Sequence, residues 1–265
     1  MNHKALNIAE AIAAVILLFA FHFIVGITFY DAGIVFGNGD PKSSVISVLA
    51  TGALITVLMK ITKTSYSEIF HSSQNSILST VAVLTPLISL IIIAGSWWYY
   101  DLMALITTFL PEDKSSIAML ENIMNGGFVT VVAICLIAPF TEEMLFRGII
   151  LRGFLQNYSP IKSILISSLL FSLVHLNLYQ IPSAFILGCF MGWLYYISRS
   201  LWPSIIAHTL NNATVYVMYI LWPSDEYNHV VLNATSFVVS LIGILAICKV
   251  FKVQIPLSFF RRKVL

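Results

Sequence analysis

Two adjacent acids and a base, Glu142, Glu143 and Arg147, interrupt a run from residue 128 to residue 151 that is otherwise apolar enough for lipid. Charges inside a membrane segment cost several kcal/mol each, so they are rarely idle. Two further hydrophobic segments carry polar insertions of the same kind, Phe171 with His175 and His208 with Asn212. Carboxylates, imidazoles and an amide gathered in a water-poor interior are suited to activating a water molecule and stabilising an oxyanion. Residues four apart share one face of a helix, so Glu143 and Arg147 can pair within one helix. Glu142 is turned about 100° from Glu143, which leaves one acid neutralised and the other free for chemistry.

The elements that hold these groups follow from composition. With 58% hydrophobic and 10% charged residues and a mean hydropathy of +0.91, the chain is an integral membrane protein, because a soluble globule would expose large apolar patches. A spanning helix needs about 20 apolar residues. Eight segments are predicted as spans: 7–30, 43–60, 77–98, 127–151, 162–179, 182–198, 203–221 and 231–250. Lipid offers the backbone no hydrogen-bond partner, so the expected fold is all-α, a polytopic bundle with the site inside it. The first segment is too long, and lacks a small-residue cleavage site, to be a signal peptide. One domain is expected in two parts. Residues 1–126 form three helices and an outer acidic segment, and 127–265 form the catalytic membrane part with a final helix and a basic tail. Segment 99–126 reads as short amphipathic helices on the outer surface, and 60–76 as an inner headgroup-level loop.

The net charge of +2 carries little information, but its distribution does. Eight spans place Lys4, Lys60, Lys63, Arg152, Lys162, Arg199, Lys249, Lys252, Arg261, Arg262 and Lys263 on one side, with only Lys42 and Lys114 on the other. Asp31, Asp40, Asp101, Glu112, Asp113, Glu121, Asp225 and Glu226 fall on that other side. The Lys/Arg bias predicts a multi-pass protein of a cell membrane with both termini cytoplasmic. Counted at about 1.5 Å per residue from the nearest inner charge, Glu142, His175 and His208 lie roughly 15, 20 and 13 Å deep, which is one layer.

Each residue also has a plain structural reading. Glu143 with Arg147 is a pair that fixes helix packing, Phe171 packs, and His22 in the first helix is a satisfied core residue. His3, His71 and His229 belong to ends or loops, and Asn211 can substitute for Asn212. Cys135, Cys189 and Cys248 lie in separate segments without metal-ligand spacing, as small apolar core residues do. The sequons at Asn212 and Asn233 fall in or beside spans and carry no information.

The series EExxxR, FxxxH and HxxxN, in this order on successive segments, resembles the CPBP family of intramembrane proteases. That group includes the type II CAAX prenyl endopeptidases, the bacteriocin-processing proteins and the ABI-type glutamate proteases. The resemblance covers roughly residues 127 to 221, and every motif position is present. It implies peptide-bond hydrolysis without a bound metal, with Glu142 and His175 activating water and His208 and Asn212 holding the oxyanion. Glu143, Arg147 and Phe171 would support the site.

Three alternatives stand beside that reading. Glu142, His175 and His208 are a ligand set for zinc, although the HExxH signature is missing. A transporter would place charges at mid-membrane but would show inverted repeats or broken helices. A non-enzymatic immunity or signalling partner of a membrane protein would keep the motifs without cleaving. The partners expected are a membrane-associated peptide or small protein and the lipid bilayer, with no nucleic acid.

Overall fold

The computed structural model describes residues 4–221 and 230–252. The predictions made for His3, Asp225, Glu226, His229, Arg261, Arg262 and Lys263 lie outside the described residues. Among the described residues the regular elements are helices, apart from one isolated bridge that pairs His71 with Ser200.

Ten helices matter for the site. They are α1 (Ile8–Asp31), α2 (Ser44–Thr62), α3 (Tyr66–Phe70), α4 (Ile77–Thr107), α5 (Lys114–Met124), α6 (Phe128–Asn157), α7 (Pro160–Leu173), α8 (Ile181–Ser198), α9 (Trp202–Leu221) and α10 (Val230–Val250). Local chemistry explains several ends. Asn7 and Glu10 form a reciprocal capping box that starts α1, and Ser65 with Glu68 does the same for α3. Asp113 caps α5, its carboxylate accepting from the backbone and hydroxyls of Ser115 and Ser116. These bonds favour the ionised form and hold the Asp113 carboxyl at about 2.

Each of the eight predicted segments is occupied by a helix, and α5 is the short surface helix expected within 99–126. Among the described residues, five helices are long and apolar enough to cross a membrane. The count of eight spans is therefore not carried by the helices themselves. The clearest difference is at 162–179, where α7 ends at Leu173. Its 14 residues rise only about 21 Å, short of a hydrocarbon core of about 30 Å. The apolar run continues beyond it, but the chain turns. Leu176 is left-handed at φ 51°, and Asn177 closes the turn by accepting from Tyr179 N. α9 is 20 residues long, and its polar insertions lower its hydropathy.

Helix α6 is the hub, in contact with α2, α3, α7, α8 and α9, while α4 packs on α9 and α10. The distribution of residue types is that of a membrane protein. Ile16, Phe23, Leu78 and Leu176 are exposed, whereas Glu143, Arg147, Ser167, Ser204 and His208 are buried. Buried serines join the helices. Ser167 Oγ donates to Phe146 O at 3.1 Å and Ser204 Oγ to Met191 O at 2.9 Å.

Glycine at 148 lets α3 sit on α6. A Cβ there would lie 2.5 Å from Ile69 Cγ2, and Ile69 is fully buried. We expect Gly148→Ala to lower stability by about 1–3 kcal/mol. Adding Ile69→Ala should relieve the overlap, so thermal unfolding of the double variant should move back toward wild type. If both variants unfold at the wild-type temperature, the contact is not tight.

Candidate active site

The segment that carries the two acids is wound unevenly. Residues Val131–Ile137 and Met144–Leu151 are π-helical and flank an α-helical stretch, Ala138–Glu143, that begins with Ala-Pro. Wide π turns inside a helix are frequent at functional sites because they re-aim side chains without ending the helix. Glu142 is left on the open side, its side chain 29% exposed, and Glu143 is turned fully inward.

Glu143 and Arg147 form the expected pair, with Arg147 Nη1 2.8 Å from Glu143 Oε1. Arg147 is held on two further sides. Its Nη2 donates to Gly188 O at 3.1 Å, and its guanidinium lies 4.3 Å above the Phe171 ring. Gly188 makes that approach available, since a Cβ there would meet Ser168 Cβ at 3.0 Å and Arg147 Nη2 at 3.3 Å.

Spacing alone did not show the second bond of Glu143. His208 Nδ1 lies 2.9 Å from Glu143 Oε1, so one carboxylate oxygen holds both the arginine and the histidine. Glu143 is thus more than a packing device, because it orients an imidazole of the proposed site. A carboxylate paired with arginine only accepts, so His208 Nδ1 carries the proton and Nε2 faces outward. That Nε2 is 3.9 Å from Glu142 Oε2, beyond direct hydrogen-bond reach.

His175 stands two residues beyond α7. The last carbonyls of a helix lack intrahelical donors. His175 Nδ1 fills one such vacancy, donating to Phe171 O at 3.0 Å. The carbonyl can only accept, so the Nε2 of a neutral His175 is left as a lone pair. The four-residue spacing of Phe171 and His175 keeps the two rings on one side, although His175 itself caps the helix end. Phe171 is the packing centre, 1% exposed, with ring centroids 5.1 Å from His175, 5.7 Å from His208 and 5.3 Å from Phe146.

Glu142 and His175 line one cavity of about 410 Å³, together with Leu145, Phe146 and residues of α1 and α2. His208 and Asn212 do not line it. Asn212 Nδ2 donates to Ile134 O at 2.7 Å, and its Oδ1 accepts from Asn211 at 3.2 Å. One amide N–H of Asn212 remains uncommitted. Asn211 is thus a support of Asn212 rather than its substitute. His22 is satisfied at Nδ1 by Leu18 O, at 2.9 Å, yet it also lines the cavity, which its isolation in sequence did not indicate. A larger, apolar cavity of about 700 Å³ lies among α4, α8, α9 and α10. It contains Asn211 but none of the motif residues, and the chemistry belongs to the smaller one.

The described residues form an all-helical membrane bundle with buried charge and a carboxylate and imidazole lining one internal cavity. Residues 124–214 match the family model of the type II CAAX prenyl endopeptidase Rce1-like proteins. The match covers about a third of the chain and supports the resemblance to the CPBP group over that segment. Over 178 residues the chain is 26% identical to YdiL of Bacillus subtilis (strain 168), a protein named as a membrane peptidase. That alignment covers 65% of this chain and 70% of YdiL. No solved structure matches the chain.

Proposed function

We propose that the protein is an intramembrane endopeptidase that hydrolyses a peptide bond in a membrane-associated peptide or small protein. The observation that carries this reading is the convergence of Glu142, from α6, and His175, from the turn that follows α7, on one cavity. Glu142 takes a proton from water as the oxygen attacks the carbonyl carbon. The C–N bond then breaks, and its nitrogen receives the Glu142 proton through the His175 Nε2 lone pair. This restores both groups. The tetrahedral oxyanion is assigned to His208 and the remaining Asn212 N–H; neither lines the cavity in this structure, but His208 Nε2 lies 3.9 Å from Glu142 Oε2, so the role requires the substrate carbonyl to reach past Glu142 toward them. With Nδ1 committed to Glu143, His208 donates from Nε2 only when the ring carries a second proton. Donors of this type are worth about 3 kcal/mol each in known cases.

This reading needs no zinc, and the alternative keeps its ligand atoms, since His175 and His208 each commit only Nδ1, to Phe171 O and to Glu143. The purified protein is expected to hold far less than one zinc per chain and to keep its activity through exhaustive chelation. Activity that is lost on chelation and restored by added zinc would reassign the chemistry.

The Lys/Arg asymmetry supports a cell-membrane protein with both termini cytoplasmic and the site in the inner half of the bilayer. The test of function is independent of any named substrate. Membrane peptides with new N-termini are compared, by mass spectrometry after amine labelling, between cells expressing wild type and Glu142→Ala. A set of cleavages present only with wild type is expected. Identical sets would favour a non-enzymatic immunity or signalling partner.

A further inference from the structure

Part of the wall of the cavity that Glu142 and His175 line is polar, and it comes from helices that the family match does not cover. Ser44, Ser47 and Thr51 line the cavity from α2, and His22 lines it from α1. Their spacing of three and four puts the three α2 residues on one helix face. Other threonines of α2 close their hydroxyls on their own helix, as Thr56 does on Gly52 O at 2.8 Å and Thr62 on Leu58 O at 2.8 Å. Among the described residues the hydroxyls of Ser47 and Thr51 have no hydrogen-bond partner. Thr51 is only 6% exposed as a residue, and it lines the cavity with its hydroxyl uncommitted. His22 Nδ1 donates to Leu18 O, which leaves the Nε2 of the neutral ring as an acceptor.

We propose that His22, Ser47 and Thr51 form the subsite that binds the main chain of an extended peptide beside the scissile bond. This assignment rests on the peptidase reading given above. The chemistry selects a peptide rather than a hydrocarbon chain, because hydroxyls covered by an apolar ligand would lose water without gaining a partner. Backbone amides supply both missing functions, N–H groups for His22 Nε2 and carbonyls for the hydroxyls. The dimensions agree as well. Residues four apart on a helix are separated by about 6 Å along its axis. Alternate residues of an extended chain, whose polar groups repeat on one side, are about 6.7 Å apart. The wall carries no charge, so it reads backbone and small polar groups rather than acidic or basic side chains. Peptide choice thus lies in α1 and α2, and bond cleavage in α6 and α7.

Two measurements test this. In the first, p-benzoylphenylalanine replaces Val48, a residue lining the same cavity. The Glu142→Ala protein carrying it is irradiated in native membranes, and the adducts are identified by mass spectrometry. Peptide adducts are expected that disappear with Ser47→Ala plus Thr51→Val. Adducts with phospholipid alone, or peptide adducts indifferent to the two substitutions, would overturn the subsite. In the second, a peptide cleaved by wild type but not by Glu142→Ala is synthesised as the probe. Ser47→Ala plus Thr51→Val is expected to raise its KM about tenfold with kcat within threefold, and His22→Ala to act in the same direction. Ser47→Thr and Thr51→Ser, which keep the hydroxyls, should retain the wild-type KM. A fall in kcat at constant KM would remove the binding role. If no peptide is cleaved at all, the peptidase reading fails, while the crosslinking arm still decides whether this wall holds a peptide.

Discussion

Replacing Glu142 with alanine is expected to reduce cleavage by about 10²- to 10⁴-fold, the range of a positioned general base, while the amount of folded protein stays at the wild-type level. The structural basis for separating the two effects is the surroundings of this acid. Glu142 opens onto the cavity, and the charged-pair partner beside it, His208 Nε2, is 3.9 Å away. Its removal therefore strips no buried donor of its acceptor. His175→Ala is expected to lose activity to a similar degree, and the double variant to be no worse than either single one, because groups that act on one water are non-additive. Initial rates on a cleaved peptide, with yield and Tm of each variant in detergent, read both quantities. Cleavage by Glu142→Ala at the wild-type rate would rule out the glutamate mechanism.

Glu143→Ala and Arg147→Ala should lower stability by about 3–5 kcal/mol each, since either one leaves an uncompensated charge in the interior. Both side chains are essentially inaccessible, at 0% and 1% exposure. Activity should fall with stability in both, for different reasons. Without Glu143, His208 loses the acceptor that sets its ring. Without Arg147, the carboxylate loses its counter-charge, and Phe171 and Gly188 lose their partner. The exchange Glu143→Arg with Arg147→Glu keeps the charges but should not restore activity. It would set a guanidinium against His208 Nδ1 and a carboxylate against the Gly188 carbonyl. Removing the pair together as Glu143→Leu with Arg147→Met is expected to recover stability relative to either alanine variant while activity stays lost. An Arg147→Ala protein with the wild-type Tm and no activity would place the arginine in substrate binding instead.

The division between the two acids was legible from their positions. In any helix, neighbours point about 100° apart and residues four apart share a face. Hence the ion pair of Glu143 with Arg147, and Glu142 left open, could be read before any coordinates were known. Lipid likewise dictated helices wherever an apolar run was long, and each predicted segment contains one. Hydropathy could not show where an apolar run turns. Residues 174–180 remain apolar enough to prolong a span, but Leu176 and Asn177 turn the chain, and His175 becomes the cap of a helix end.

The sequence by itself determined the solvent, the helical class, the inventory of candidate site groups and the face each takes on its own helix, because composition and a fixed turn angle are local properties. Only the tertiary structure decided which faces meet. Helical periodicity orients a side chain around its own axis but says nothing about the neighbour it encounters. Glu143 could thus be matched to Arg147 on its own helix but not to His208 on another. For the same reason His22, without a polar neighbour in sequence, reads as a core residue. The packing of α1 and α2 against the bundle brings it to the cavity that Glu142 and His175 line.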